Sequence, residues 1–172
     1  MPKLIFRPSL LNIRRLPVKW VIIHDTIELY DRPECEIDTP KYQYPFLIKS
    51  AMEKAQVDLN YHYIIEKVTD DYITIATRPV THLCEWDDID PNINSRSLHI
   101  ALLGNYNYKV PENRLYNVLA YRVVSPLMKI YALSESRIKL HSEVSSNKSL
   151  VCPGEFFDKG LFLAAVKRYW IR

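Results

Sequence analysis

A chain of 172 residues with 48% hydrophobic and 12% aromatic side chains can bury one sizeable core, and a net charge of +3 is too weak for an obligate nucleic-acid binder. No run approaches the roughly 18 consecutive apolar residues that would cross a bilayer, and Pro8, Arg14 and Arg15 interrupt the opening "MPKLIFRPSLLNIRRLP", which is unlike a signal peptide. With only three glycines there is no phosphate-cradling loop or dinucleotide fingerprint, and three cysteines without an export signal argue against a disulfide framework.

The first strong element is "VKWVIIHDT" (18–26), a continuous apolar run of strand length that ends in His24 and reads as a buried central strand. Three prolines and several acids make 27–45 a long surface loop, and a helix follows over 46–57. "NYHYIIEKV" (60–68) and "DYITIATRPV" (71–80) are β-branched and aromatic, and the turn pair Thr69-Asp70 between them predicts a hairpin. Residues 81–97 are polar and turn-rich. "LHIALLGNY" (98–106) is another buried strand, closed by Gly104. Helical periodicity runs over 112–133, with Pro126 expected to kink or split it. "RIKLH" (137–141) is a short last strand, and a helix over 155–171 ends the chain. Strands that alternate with helices, with one hairpin inside, predict an α/β fold: a mixed β-sheet flanked by helices, in a single domain spanning 1–172.

Chemistry concentrates in "IKLHSEVSSNKSLVCPGEFFD" (138–158) and at the end of the first strand. His24 and His141 each close a predicted strand, where side chains project into a crevice, and Cys152 follows on the next loop. Two imidazoles and a thiolate suffice as protein ligands for Zn²⁺, and three of them leave a fourth tetrahedral position for water. The plainer alternative is two hydrogen-bonded structural histidines and a small buried cysteine. Pro153-Gly154 would make a tight turn that aims the sulfur back toward the histidines.

Four segments, "VIIHDT", "NYHYIIE", "SRSLHIALLGNYN" and "LHSEVSSNKSLVCPGEFFD", resemble in order the zinc-dependent N-acetylmuramoyl-L-alanine amidases of the phage lysozyme and peptidoglycan recognition protein type. That resemblance implies a mixed sheet with packed helices, zinc ligands at His24, His141 and Cys152, and catalytic roles for Tyr61 and Lys148. It also implies a place for His82 along the substrate groove. Bacterial peptidoglycan would be the substrate, cut between N-acetylmuramic acid and the L-alanine of the stem peptide. The chain would be made in the cytoplasm and reach the wall through a holin or as part of a phage particle, where other virion proteins are candidate partners. The second expectation is a non-catalytic peptidoglycan-binding or structural protein on the same fold; retention of all three candidate ligands favours the enzyme.

His99 stands where the family commonly has glycine, which affects local packing. The His141 to Cys152 interval is longer than the family's, which bears on where Lys148 lies. His62 alternates with Tyr61 and is expected on the opposite face as a structural histidine. Cys35 and Cys84 read as ordinary thiols. Asp88, Asp90 and Asn92 superficially suggest a calcium loop, but Ile93 and His99 occupy its glycine and glutamate positions.

Overall fold

The computed structural model describes residues 13–26 and 59–170; the loop expected over 27–45, the helix expected over 46–57 and Cys35 lie outside them. Among the described residues five strands form one sheet: β1 (Trp20–Asp25), β2 (Tyr63–Val68), β3 (Asp71–Ala76), β4 (Ser97–Leu102) and β5 (Ile138–Leu140), in the order β3-β2-β4-β1-β5. β1 runs parallel to both β4 and β5, β2 is parallel to β4, and β2–β3 is the antiparallel hairpin. The apolar runs of β1 and β4 follow from this placement, because strands between parallel neighbours are covered on both faces.

Side-chain alternation divides the sheet. On one face Val21, Ile23, Ile65, Leu98, Ile100 and Leu102 join the main core. Helices supply the other half of that core, through Leu115, Leu119, Val123, Leu127, Phe162 and Val166. On the opposite face Ile64, Ala101 and Leu103 pack with Leu59, Tyr61 and Ile75 in a smaller cluster. His24 and His99 have the parity of this second face, which no long helix among the described residues covers.

The helical run expected over 112–133 is a succession: α2 (Asn113–Val118), a π-helical stretch (Leu119–Val124) and α3 (Ser125–Tyr131). Pro126 at the start of α3 has no N–H to give and its ring crowds the preceding turn. The widened π turns absorb this, and the helix continues without a break. The C-terminal helix (Lys159–Trp170) packs on the same sheet face.

Residues 81–97, expected to be irregular, contain a one-turn helix, α1 (Pro91–Asn94). Asp90 caps it, accepting from Asn92 N at 2.7 Å, so this carboxylate has a structural task in place of the rejected calcium loop. Arg14 fastens the same segment: its guanidinium donates to the carbonyls of Val80 (3.0 Å), Ser95 (3.0 Å) and Ser97 (2.6 Å). Farther along, Ile89 bridges to Ser145 and Ser146 N donates to Asp88 O at 2.6 Å. The segment is thereby tied to the chain that leaves β5.

Candidate metal centre

Strand register brings the two histidines together. β1 and β5 are parallel with Ile23 opposite Leu140, so the next residues, His24 and His141, emerge side by side at the C-terminal edge of the sheet. Their ring centroids are 4.4 Å apart. His141 opens the short helix His141–Val144, whose first turn is closed by Glu143 accepting from Leu140 N at 2.7 Å. Cys152 returns to this edge because Ser142 N donates to its carbonyl (3.1 Å) and Asp25 N donates to its Sγ (3.4 Å).

The turn after the cysteine needs its glycine. Gly154 has φ +112°, and a Cβ there would lie 2.5 Å from the carbonyl carbon of Tyr106. No other residue fits both the dihedral and the gap. The rare glycine of this segment therefore lets two loops touch directly behind Cys152.

One potential ligand atom from each of His24, His141 and Cys152 lies within 4.8 Å of the others, and all three residues are buried. His24 Nδ1 is buried without a hydrogen-bond partner among the described residues. Burial, helped by the neighbouring imidazoles of His99, His141 and His62, holds His24 well below the ordinary histidine range, which keeps its ring neutral. Burial pushes the Cys152 thiol far up, and the Asp25 carboxylate, whose Oδ1 is 3.2 Å from Sγ, adds to this. A neutral imidazole with an unused lone pair, a second imidazole and a sulfur form the nitrogen and sulfur donor set that suits Zn²⁺. The residues fit the ion.

Each histidine is also held at its far nitrogen. His24 Nε2 lies 2.9 Å from His99 Nδ1. His141 Nε2 lies 2.9 Å from Asp88 Oδ2, a short contact without hydrogen-bond geometry. That carboxylate oxygen accepts from Ser145 Oγ at 2.5 Å. Burial pushes Asp88 up, but the Ser145 hydroxyl and His141 outweigh it and hold the carboxyl below its usual range.

An aromatic wall completes the site. Trp86 stacks on His24 with centroids 4.4 Å apart and planes at 21°, and meets His141 edge-on at 4.9 Å. Tyr61 approaches His24 at 5.5 Å and Trp86 at 5.5 Å. His62, expected to face away from Tyr61, instead joins the same group: its ring stacks on His99 at 6.0 Å, and its Nδ1 accepts from His99 N at 2.9 Å. Strand alternation did not apply because β2 starts only at Tyr63. Cys84 is buried against His62, with Sγ 3.3 Å from Nδ1.

The other candidates stand apart from these contacts. Lys148 is exposed on the loop after His141, and its Nζ donates to Ser145 O at 3.1 Å. His82 turns its ring to Thr81 Oγ1 (3.2 Å); its backbone carbonyl faces inward and accepts from His62 Nε2 at 3.0 Å. Sequence reasoning missed Trp86 and Asp88, although "EWDD" puts an indole and carboxylates directly before α1.

The profile of the family described as N-acetylmuramoyl-L-alanine amidase matches residues 14–155. No curated protein sequence matches the chain significantly. Among solved structures, the fold is similar to the N-acetylmuramoyl-L-alanine amidase LysC from Clostridium intestinale URNW (TM-score 0.63, 19% identity, covering 88% of this chain and 87% of that one). It is similar to the Ph2119 endolysin from Thermus scotoductus MAT2119 bacteriophage Ph2119 (TM-score 0.63, 20% identity, 93% and 92%). Drosophila PGRP-LB shares it too (TM-score 0.58, 18% identity, 88% and 81%).

Proposed function

Since the chain belongs to the N-acetylmuramoyl-L-alanine amidase family, we propose that it is a zinc-dependent peptidoglycan amidase of a phage, an endolysin or virion-associated lysin. It hydrolyses the amide between the lactyl group of N-acetylmuramic acid and the L-alanine of the stem peptide. The observation that carries this reading is the buried convergence of His24, His141 and Cys152 within 4.8 Å, beside an imidazole nitrogen that has no partner among the described residues. None of the helices among the described residues is long and apolar enough to cross a membrane. We assign the approach to the wall to a holin or to the virion.

His24 Nδ1, one nitrogen of His141 and Cys152 Sγ would hold the ion, which supplies Lewis acidity for amide hydrolysis. The chain's own groups then have separable tasks. Cys152 would bind the ion as a thiolate, so its proton would leave on metal uptake. Tyr61, whose ring lies beside His24, offers a hydroxyl to the reacting carbonyl. Lys148 swings from Ser145 O to bring an ammonium to the developing oxyanion, a contribution of about 3 kcal/mol for one well-placed donor. Asp88 orients the His141 imidazole. His82 contacts the substrate at the rim.

The test pairs metal analysis with product analysis. Purified protein should carry about one zinc and release free L-alanine amino groups from cell walls without new reducing ends, and Cys152→Ser should lose both. A protein with stoichiometric zinc and no amine release would be a binding module; one that takes up no zinc under any loading condition would end the reading.

A further inference from the structure

We propose that His99 is the positioning residue for the metal centre: its Nδ1 accepts the Nε2 proton of His24 and so fixes the tautomer in which the Nδ1 lone pair of His24 faces His141 and Cys152. This deepens the reading above and rests on His24 being a ligand.

A neutral imidazole has one N–H and one lone pair, and both rings are fully buried. His24 Nε2 and His99 Nδ1 stand 2.9 Å apart, so one of them donates. If His99 donated, the proton of His24 would sit on Nδ1, which has no acceptor among the described residues, and would point an N–H into the convergent donor set. With the donation reversed, that nitrogen is a bare lone pair where a cation is wanted. The cost is moved to His99 Nε2, which carries its proton while buried and without a hydrogen-bond partner among the described residues.

The surroundings keep His99 in this pose. Its backbone amide donates to His62 Nδ1 at 2.9 Å, which leaves His62 Nε2 to donate to His82 O at 3.0 Å. Trp86 is nearly parallel to both rings of the pair, at 21° to His24 and 17° to His99. The residue itself is fully buried on β4, next to β1. Metal-bound histidines are generally oriented by an acceptor at the far nitrogen, and losing that acceptor typically weakens metal binding about 10- to 100-fold. His141 has a carboxylate in this position, whereas His24 has a neutral imidazole.

Two variants separate the acceptor from the space it fills. His99→Asn places its Oδ1 where the imidazole Nδ1 was; His99→Leu fills the site without an acceptor. Zinc affinity is read by competition with a chromogenic chelator, and the tautomer of His24 by long-range ¹H–¹⁵N spectra of the metal-free wild-type protein. Expected are an Nε2–H signature for His24, near wild-type affinity for His99→Asn, and about 10- to 100-fold weaker binding for His99→Leu. Wild-type affinity in a folded His99→Leu, or a proton on Nδ1 of His24 in the wild-type spectrum, overturns the inference while leaving the zinc centre standing. A wild-type protein that binds no zinc removes both. The spectrum of the unmutated protein decides the matter even if neither variant folds.

Discussion

Asp88 Oδ2 lies 2.9 Å from His141 Nε2 and accepts Ser145 Oγ at 2.5 Å, so one carboxylate oxygen links the segment before α1 to both ends of the short helix after β5. A carboxylate at the far nitrogen of a ligating histidine fixes the ring and raises its basicity. Asp88→Asn keeps the shape and removes the charge. Zinc affinity should fall about 10-fold or more in chelator competition, with little change in the far-ultraviolet circular dichroism. Equal affinity would show that the carboxylate only ties the two segments together.

Lys148 should matter to turnover and not to metal. Lys148→Ala is expected to keep one zinc and lower kcat on cell-wall fragments about 100-fold, with a smaller change in KM, as loss of a single oxyanion donor does. Because Nζ rests on Ser145 O in the free protein, Lys148→Arg should not restore the rate: a planar fork cannot occupy a point-charge site. An arginine variant as fast as wild type would contradict this.

Gly154→Ala joins a disfavoured φ of +112° to a contact of 2.5 Å with the Tyr106 backbone. The expected loss is about 2 to 4 kcal/mol, read from the urea midpoint at unchanged slope. Since the strain is relieved only by moving the loop that carries Cys152, zinc should be lost together with stability. A stable, zinc-replete Gly154→Ala protein would show that the loop yields elsewhere.

Buried histidines make the metal-free protein sensitive to acid. His24 and His99 are held well below the ordinary value by burial, and His62 is brought down to about 3 by burial, with Arg14 and Arg78 adding to it against two backbone hydrogen bonds. With the folded value depressed, the unfolded chain takes up the proton first. The stabilisation is therefore complete above an unfolded value of about 6.5 and shrinks as pH falls below it. Between pH 6.5 and 5 each such histidine costs about 2 kcal/mol, so the apo protein should lose much of a typical total stability of about 5–15 kcal/mol over that range. Thermal melts of the chelated protein at pH 7.5, 6 and 5 check this; a flat profile would mean that the rings are solvated.

Much of the centre could be read from the chain because its parts sit at element ends. His24 closes an apolar run, His141 follows a short strand, and Cys152 precedes a Pro-Gly pair; that pattern left structural histidines and a buried thiol open as the alternative, and the resemblance to the amidase family decided between them. The mixed sheet was legible because buried parallel strands write themselves as unbroken apolar runs. Trp86, Asp88 and His99 were not legible. Their partners are set by long-range register: β1 against β4 seats His99 on the face shared with His24, and the tie between Ile89 and Ser145 carries Asp88 to His141. Nothing local to "EWDD" announces that it will lie across another strand's end. The facing of His62 was misread because period-two reasoning was carried two residues beyond the strand that justified it, while its structural, hydrogen-bonded role is the one its contacts show.

The stacking of Trp86 on His24 gives the protein an intrinsic optical gauge. An indole 4.4 Å from an imidazole shares its electronic environment, so whatever charges or polarises that ring should alter the emission of Trp86. Trp20 is occupied elsewhere, under Arg137 at 4.4 Å. Loading of the centre can thus be followed by fluorescence in the unlabelled protein, and Trp86→Phe should silence the signal while leaving the ligands in place.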